Sequence, residues 1–371
     1  VSQSMSERLN RAIAHRRALH RIPELTFELT KTQAYVLEAL RHTSAQVTEL
    51  APAGVLAYFD AGSSQTVALR ADMDALPMTE NTGLEFASCH PGKMHACGHD
   101  AHMAMMLTVA EELSKSELSR NVLLIFQPAE ETGGGALSVI KSGALEKYSV
   151  SSIFACHVEP SLATGVISSK PGPVMAMSNE VHLTIKGKSS HIAHPENGID
   201  ALRAGVMLYD RIFEEIGNKF AGRQFLFNFG SFHSGTANNI ISNETRFAGA
   251  LRSYDEKLSG AIKQTVTDMC AEIARKTGTE IQAYIPEVCL PLLNDEGCFE
   301  RLKRLADGLR FQLLPKPFYV SEDFAYYLKK VPGCMFYLGI GSETPLHSTN
   351  FFINEEALES GVEMFMRLAL N

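Results

Sequence analysis

Residues 66–77 read TVALRADMDALP, and residues 121–131 read NVLLIFQPAEE. In both stretches an apolar run gives way at once to side chains that can ionise or ligate. Thr66–Arg70 feeds into Asp72 and Asp74. Asn121–Phe126 is almost continuously apolar, as a strand of a parallel sheet covered on both faces must be, and it ends at Pro128 and the pair Glu130–Glu131. Ser151–Cys156 repeats the pattern and ends at His157. Open α/β sheets keep their sites beyond the carboxyl ends of the strands. The sequence therefore predicts one sheet carrying Asp72, Asp74, Glu130, Glu131 and His157 on a single rim. Cys97 and His99 stand in a Gly-bearing loop ahead of a helix predicted over Ala101–Leu113, from which they can reach the same rim.

Towards the N-terminus, Leu9, Ile13, Leu19 and Ile22 recur at helical spacing before Pro23, and a second helix is predicted from about Glu28 to Leu40. Gly165, Pro171, Gly172 and Pro173 mark a turn-rich hinge over 165–180. Beyond it, Glu180–Lys186, Phe225–Phe229, Arg246–Arg252 and Glu280–Tyr284 read as strands, with helices over Gly198–Ile216 and Leu258–Lys276. Strand–helix–strand units of this kind make a small α/β sandwich. After Pro286 the pattern returns to helices and short apolar strands, Met335–Gly339 running towards His347. The chain of 371 residues exceeds what one core usually supports. The economical reading is an insertion: 1–179 and 286–371 form a large mixed-sheet α/β domain, and 180–285 a small α+β, ferredoxin-like domain within it.

Composition excludes several classes. Lys plus Arg is 34 against 42 Asp plus Glu, a net charge of −8, with no basic run to meet a nucleic acid. No stretch of 18 apolar residues is present to span a bilayer. The first 20 residues lack the apolar core of a signal peptide. Seven cysteines cannot all pair within one chain and show no dense framework, so a reducing cytoplasm is the expected location.

Cys97-x-His99 is the densest pair of ligand types, a thiolate and an imidazole two residues apart. On its own it is weak, because a buried cysteine beside a surface histidine reads the same way. Glu130–Glu131 and His157, each after a separate strand, strengthen it. Adjacent side chains in an extended segment point in different directions. One glutamate can therefore bind metal while the other serves as the base that a metal-activated water needs; the residues do not say which. His347 in TPLHSTNFF and His191 in GKSSHIAHPENG read, taken alone, as loop and surface histidines. Three other readings fit the residues less well. Cys97 as a thiol nucleophile is disfavoured by the surrounding carboxylates, which raise a thiol pKa. Gly133–Gly135 lacks both the P-loop Lys and dinucleotide spacing. Met103, Met105 and Met106 fit helix core.

LRADMDALP at 69–77, MHACGHDAHMAM at 94–105, FQPAEE at 126–131, HVEP at 157–160, SEDFAYYL at 321–328 and LHSTNFF at 346–352 together resemble the dinuclear-metal amidohydrolases. That family includes hippurate hydrolase, the N-acyl-amino-acid hydrolases and the auxin-conjugate hydrolases. The resemblance runs in order over nearly the whole chain. It implies two divalent ions per subunit (Zn, Mn, Co or Ni) held by Cys97, His99, Glu131, His157 and His347, with Glu130 as base and Asp74 orienting a ligand histidine; Asp72 has similar work in this reading. It further implies that His191, in a small domain that also dimerises, reaches the reaction centre, and that Asn239 and Arg252 meet the substrate. Among the branches, the bacterial N-acetyldiaminopimelate deacetylases are the most similar, on compact length, LKKVPG at 328–333 and the GSE-x-x-LH run ending at His347. Hydrolysis of an N-acyl amino acid by a cytoplasmic homodimer follows as the expectation. Aminoacylase, hippurate hydrolase or dipeptidase activity is the alternative within the family, and a non-catalytic binding protein the alternative outside it. Ala101, Met103 and Ser348–Asn350 depart from the usual Gly, Thr and proline-bearing segment.

Overall fold

The computed structural model describes the backbone of residues 2–371 and side chains from Glu7 onward. The chain forms two compact units. The first comprises residues 1–174, 293–317 and 322–371, and the second residues 175–292 and 318–321.

The first unit is built on an eight-stranded sheet. From edge to edge the strands are Gln46–Glu49, Val55–Phe59, Asn121–Gln127, Thr66–Asp72, Val150–Glu159, Gly333–Gly339, Ile167–Ser169 and Phe311–Leu313. The four central strands, from Asn121–Gln127 to Gly333–Gly339, are mutually parallel. Three of these four are buried at every position, and the fourth, Val150–Glu159, at nearly every one. Their apolar runs are thus the sheet's interior, covered by helices on both faces. Register sets Asp72 beside Gln127 and His157 beside Tyr337, so the carboxyl ends line up. Two strands run further than the sequence indicates. Thr66–Asp72 continues past Arg70 to take in Asp72, and Val150–Glu159 carries His157 within it rather than after it.

The helix His99–Leu113 is buried along nearly its whole length, with Met103, Met105 and Met106 fully enclosed. A helix buried on every side belongs in the middle of a domain, and this one packs between Ser2–His20 and Ala357–Leu370. The turn-rich stretch 165–180 holds short strands: Gly172–Met175 pairs with Leu292–Asn294, so the outgoing and returning chain lie side by side.

The second unit has the order strand–helix–strand–strand–helix–strand: Met177–Lys186, Ala201–Lys219, Phe225–Ser234, Glu244–Ser253, Glu256–Thr277 and Glu280–Tyr284. Its sheet is antiparallel, with Glu287–Cys289 added beside Met177–Lys186. The first helix begins at Ala201, not Gly198. Asp200 caps it by accepting from Arg203 N at 3.0 Å. Ala204, Leu208, Ile212 and Ile216 then repeat at helical spacing and face Val181, Leu183 and Ile185 in one core. Among the described residues no helix is long and apolar enough to cross a membrane.

A buried ionic network ties the first helix to the start of the His99 helix. His20 Nδ1 lies 2.8 Å from Asp100 Oδ2 and Nε2 3.2 Å from Glu80, while Arg16 reaches Asp100 and Glu355. Burial alone would depress the His20 pKa, but the Asp100 and Glu80 carboxylates outweigh it and lift the imidazole to about 9. A raised histidine stabilises the fold in full below its ordinary value near 6.5 and loses that contribution as pH climbs through 9. We expect the melting temperature to fall between pH 7 and 9.5, with on the order of 3 kcal/mol at stake. His20→Gln should unfold earlier at pH 7 and show a flatter slope over that interval. A wild-type Tm constant over that range would exclude a charged His20.

Candidate metal centre

Four separate segments of the first unit meet at the carboxyl rim of its sheet. Gly98 turns the chain between Cys97 and His99. Its φ is +86°, a region that glycine enters freely, and a Cβ there would clash with Val158 Cγ2. The Cys97 sulfur comes 3.5 Å from His157 Nε2. His99 Nε2 lies 3.9 Å from Glu131 Oε1 and also 3.9 Å from Glu130 Oε2, and His347 Nε2 is 3.6 Å from Glu131 Oε1. The donors form overlapping groups, Cys97–His99–His157 and Cys97–Glu131–His347, within each of which all donor atoms lie within 4.8 Å of one another. Cys97 belongs to both. Cys97, His99 and His157 are buried; His347 is exposed.

Main-chain carbonyls orient both buried histidines. His99 Nδ1 is 2.7 Å from the Asp74 carbonyl, and His157 Nδ1 is 2.7 Å from that of Val158. A carbonyl only accepts, so each Nδ1 carries a proton and each Nε2 faces the cluster, where a bound cation would take the place of a proton. Asp74 thus touches His99 chiefly through its main chain. Its carboxylate, 3.6 Å from the same nitrogen, accepts the N–H groups of Glu130 and Glu131 at 2.9 and 3.2 Å. Asp72 serves a different histidine. It lies 2.6 Å from His102 Nδ1, and His102 Nε2 accepts from Val158 N at 3.0 Å. With both nitrogens engaged, His102 has no lone pair for an ion, although it stands beside Asp72 and His99.

Backbone strain gathers at the same place. Ala129, just before Glu130, has φ +50°, and His347 has φ +61°. Non-glycine residues there are held against an energetic cost and mark sites where geometry is over-determined. The glycine run closes the Glu130–Glu131 loop: Gly133 N donates to the Glu130 carbonyl and Gly135 N to that of Ala129.

The donors fit a cation. His99 Nε2 and Glu131 Oε1 are buried without a hydrogen-bond partner, a condition that native interiors rarely tolerate. Burial and then Glu131, Glu130 and Asp72 push the Cys97 thiol well up. Burial, then Glu322, Asp323 and Glu131, raise Glu130 far above the usual carboxylate range. Burial would lower His99, but Asp72, Asp74 and Glu131 carry it to about 10; burial and His102 bring His157 down to about 3. Such a surplus of negative groups attracts positive charge, and thiolate, imidazole and carboxylate together are a divalent-metal donor set. The same surplus disfavours a thiol nucleophile, which needs a depressed pKa.

The other residues singled out in the sequence stand in the second unit. His191 is exposed and bridges to Ile240. Asn239 is exposed, and its carbonyl accepts from Ile192 N. Arg252 is half-buried, its Nη1 3.2 Å from Ser321 Oγ. Sequence reasoning assigned no role to His102, Arg70, Gln127 or the Glu322–Asp323 pair. The available signals were an arginine in an otherwise apolar strand and two acids opening SEDFAYYL.

Residues 68–371 match the model of peptidase family M20/M25/M40. An N-acetyldiaminopimelate deacetylase of Streptococcus uberis is 35% identical over 363 residues, covering 94% of this chain and 96% of its own. One of Enterococcus faecalis is 35% identical over 362 residues, covering 95% of each. Among solved structures, a dinuclear metal-binding peptidase of the M20 family from Bacillus subtilis superposes with a TM-score of 0.87 at 30% identity, covering 98% of both chains. The large mixed sheet with a separate antiparallel sheet is the architecture of that structure.

Gly98→Ala should cost about 1–3 kcal/mol through its left-handed backbone alone, before the clash with Val158 is counted. Denaturant unfolding measures it; a variant as stable as wild type would show that the loop does not need this conformation.

Proposed function

The chain belongs to peptidase family M20/M25/M40, and from that membership and the rim geometry we propose that this metal-dependent amidohydrolase acts on N-acyl amino acids, with N-acetyl-diaminopimelate cleaved to diaminopimelate and acetate. The observation that carries the reading is the convergence of Cys97, His99, Glu131, His157 and His347 on one small volume, with Cys97 common to two groups. In this reading the five hold two divalent ions; Zn, Mn, Co and Ni all suit the mixed donors. When bound, the ions supply Lewis acidity that makes water a nucleophile at neutral pH and polarises the amide carbonyl.

The chain's own groups do the rest. Asp74 fixes the Glu130–Glu131 backbone, so the two carboxylates stay apart in role. Glu131 faces Cys97 and His347, and Glu130 takes the proton of the attacking water and returns it to the departing amine. His191 donates to the tetrahedral oxyanion, where a donor counts most. Arg252 offers its fork of donors to the substrate carboxylate, and Asn239 contacts the substrate. The names of the S. uberis and E. faecalis relatives support the diaminopimelate assignment. A cytoplasmic homodimer, joined through the second unit, completes the reading.

A panel of N-acetyl-diaminopimelate, hippurate, N-acetyl-methionine and dipeptides on metal-reconstituted protein tests the substrate. The first should have the highest kcat/KM, and preference for a dipeptide would reassign the enzyme. Glu130→Gln should lose ~10³-fold or more in kcat while retaining its metal; loss of both ions instead would make Glu130 a ligand. Cys97→Ser should lower metal content first. Full occupancy with normal kinetics in that variant would remove Cys97 from the site, and full activity of the wild type after exhaustive chelation would remove the metal from the reaction.

A further inference from the structure

Arg70 lies on a central strand of the first unit's sheet, two residues before Asp72, so both side chains project from the same face. Its guanidinium is fully buried, and a charge taken out of water must be matched at its donors. Nε donates to Gln127 Oε1 at 2.9 Å and Nη1 to Asp72 Oδ2 at 2.7 Å. Nη2 donates to Glu322 Oε1 at 2.9 Å and Asp323 Oδ1 at 3.0 Å.

Every partner belongs to the wall of the rim. Asp72 accepts from His102 and lies 3.7 Å from His99 Nε2. Gln127 ends the strand that leads to Glu130, and its Nε2 donates to both oxygens of Asp323 at 2.8 and 2.9 Å. Asp323 takes a further N–H from Ala136 at 2.8 Å, and Glu322 takes one from Phe324 at 3.0 Å. Carboxylate oxygens of Glu130, Glu322 and Asp323 lie within 4.8 Å of one another. Three acids therefore crowd together, and a single cation holds two of them.

We propose that Arg70 is a positioning residue for the reaction: its fork clamps Asp72 on the histidine side and Glu322–Asp323 on the glutamate side, so that Glu130 stands against a fixed anionic wall and is turned towards His99 and the reacting amide. The proposal rests on the reading of Glu130 as the base. The wall repels the Glu130 carboxylate and cannot itself swing away, because its oxygens are already engaged. Released, Asp72 or Glu322 would turn into the rim and compete for the place of Glu130. Lysine cannot substitute, since a point charge on a flexible stem does not span four acceptors in fixed directions.

The test compares Arg70→Lys, Asp323→Asn and the double variant with wild type in metal content, thermal unfolding, kcat and KM, on the substrate wild type turns over best. The clamp predicts kcat lower by ~10²-fold for Arg70→Lys and ~10-fold for Asp323→Asn. KM should stay within about threefold and the metal content at the wild-type level, since the change misplaces a base without removing a binding contact. The double variant should fall no further than Arg70→Lys, because both changes open the same clamp. Wild-type kcat in either single variant, a loss carried by KM or by metal content, or losses that multiply in the double variant would overturn it. If Arg70→Lys does not fold, Asp323→Asn decides alone. A wild type without metal-dependent turnover defeats the amidohydrolase reading and the clamp together; an active wild type beside an equally active Asp323→Asn defeats only the clamp.

Discussion

Three hydrogen bonds to one residue hold the rim together. The Asp74 carboxylate accepts the main-chain N–H of Glu130 and of Glu131, and its carbonyl accepts the Nδ1–H of His99. Three segments that are far apart along the chain are thereby set in one frame: the end of one central strand, the loop after its neighbour, and the first turn of the buried helix. Cys97 follows because Gly98 fixes it to His99, and His157 follows because its strand is zipped in register beside both neighbours. Only His347 arrives independently. Its N–H donates to the Ala96 carbonyl at 2.9 Å, which ties the last segment to the same loop.

This frame gathers like charges, and the fold pays for that elsewhere. Carboxylates at Asp72, Asp74, Glu130, Glu131, Glu322 and Asp323 repel one another in a medium that screens poorly. Burial lifts Asp323 to about 8, against the pull of Arg70. The opposing stability comes from the apolar side chains of the central strands and from Met103, Met105, Met106, Leu107 and Val109 of the enclosed His99–Leu113 helix, whose packing is indifferent to charge. The buried pairs around His20 and Asp100 anchor that helix at the end nearest the site.

Much of this arrangement is legible in the sequence, because its signals are local. An apolar run that stops at an acid or a histidine states both a strand and its functional end, and the runs ending at Asp72, Glu130 and His157 need no distant partner to be read. The ferredoxin-like order of the second unit is equally local, written in alternation and helical spacing. What escapes reading is what depends on partners far along the chain. Arg70 looks like the end of a strand, yet it is buried within one, and two of its partners stand 252 and 253 residues away. Neighbouring glutamates are likewise indistinguishable by adjacency. Their difference emerges only where Glu131 meets His347 and Glu130 meets Glu322. The turn residues at 165–180 conceal two short strands because Gly and Pro tolerate edges and ends of sheets as well as loops.

The histidines at 99 and 157 have their protons placed by peptide oxygens, whereas such ligands often lean on a carboxylate partner. A peptide oxygen is present whichever amino acid occupies positions 74 and 158. A change at position 158 therefore reshapes the pocket wall without deleting the acceptor that sets His157, and a change at position 74 frees Glu130 and Glu131 yet still leaves His99 its acceptor. The orientation of these two rings is thus set by the chain's path and not by the side chains at positions 74 and 158.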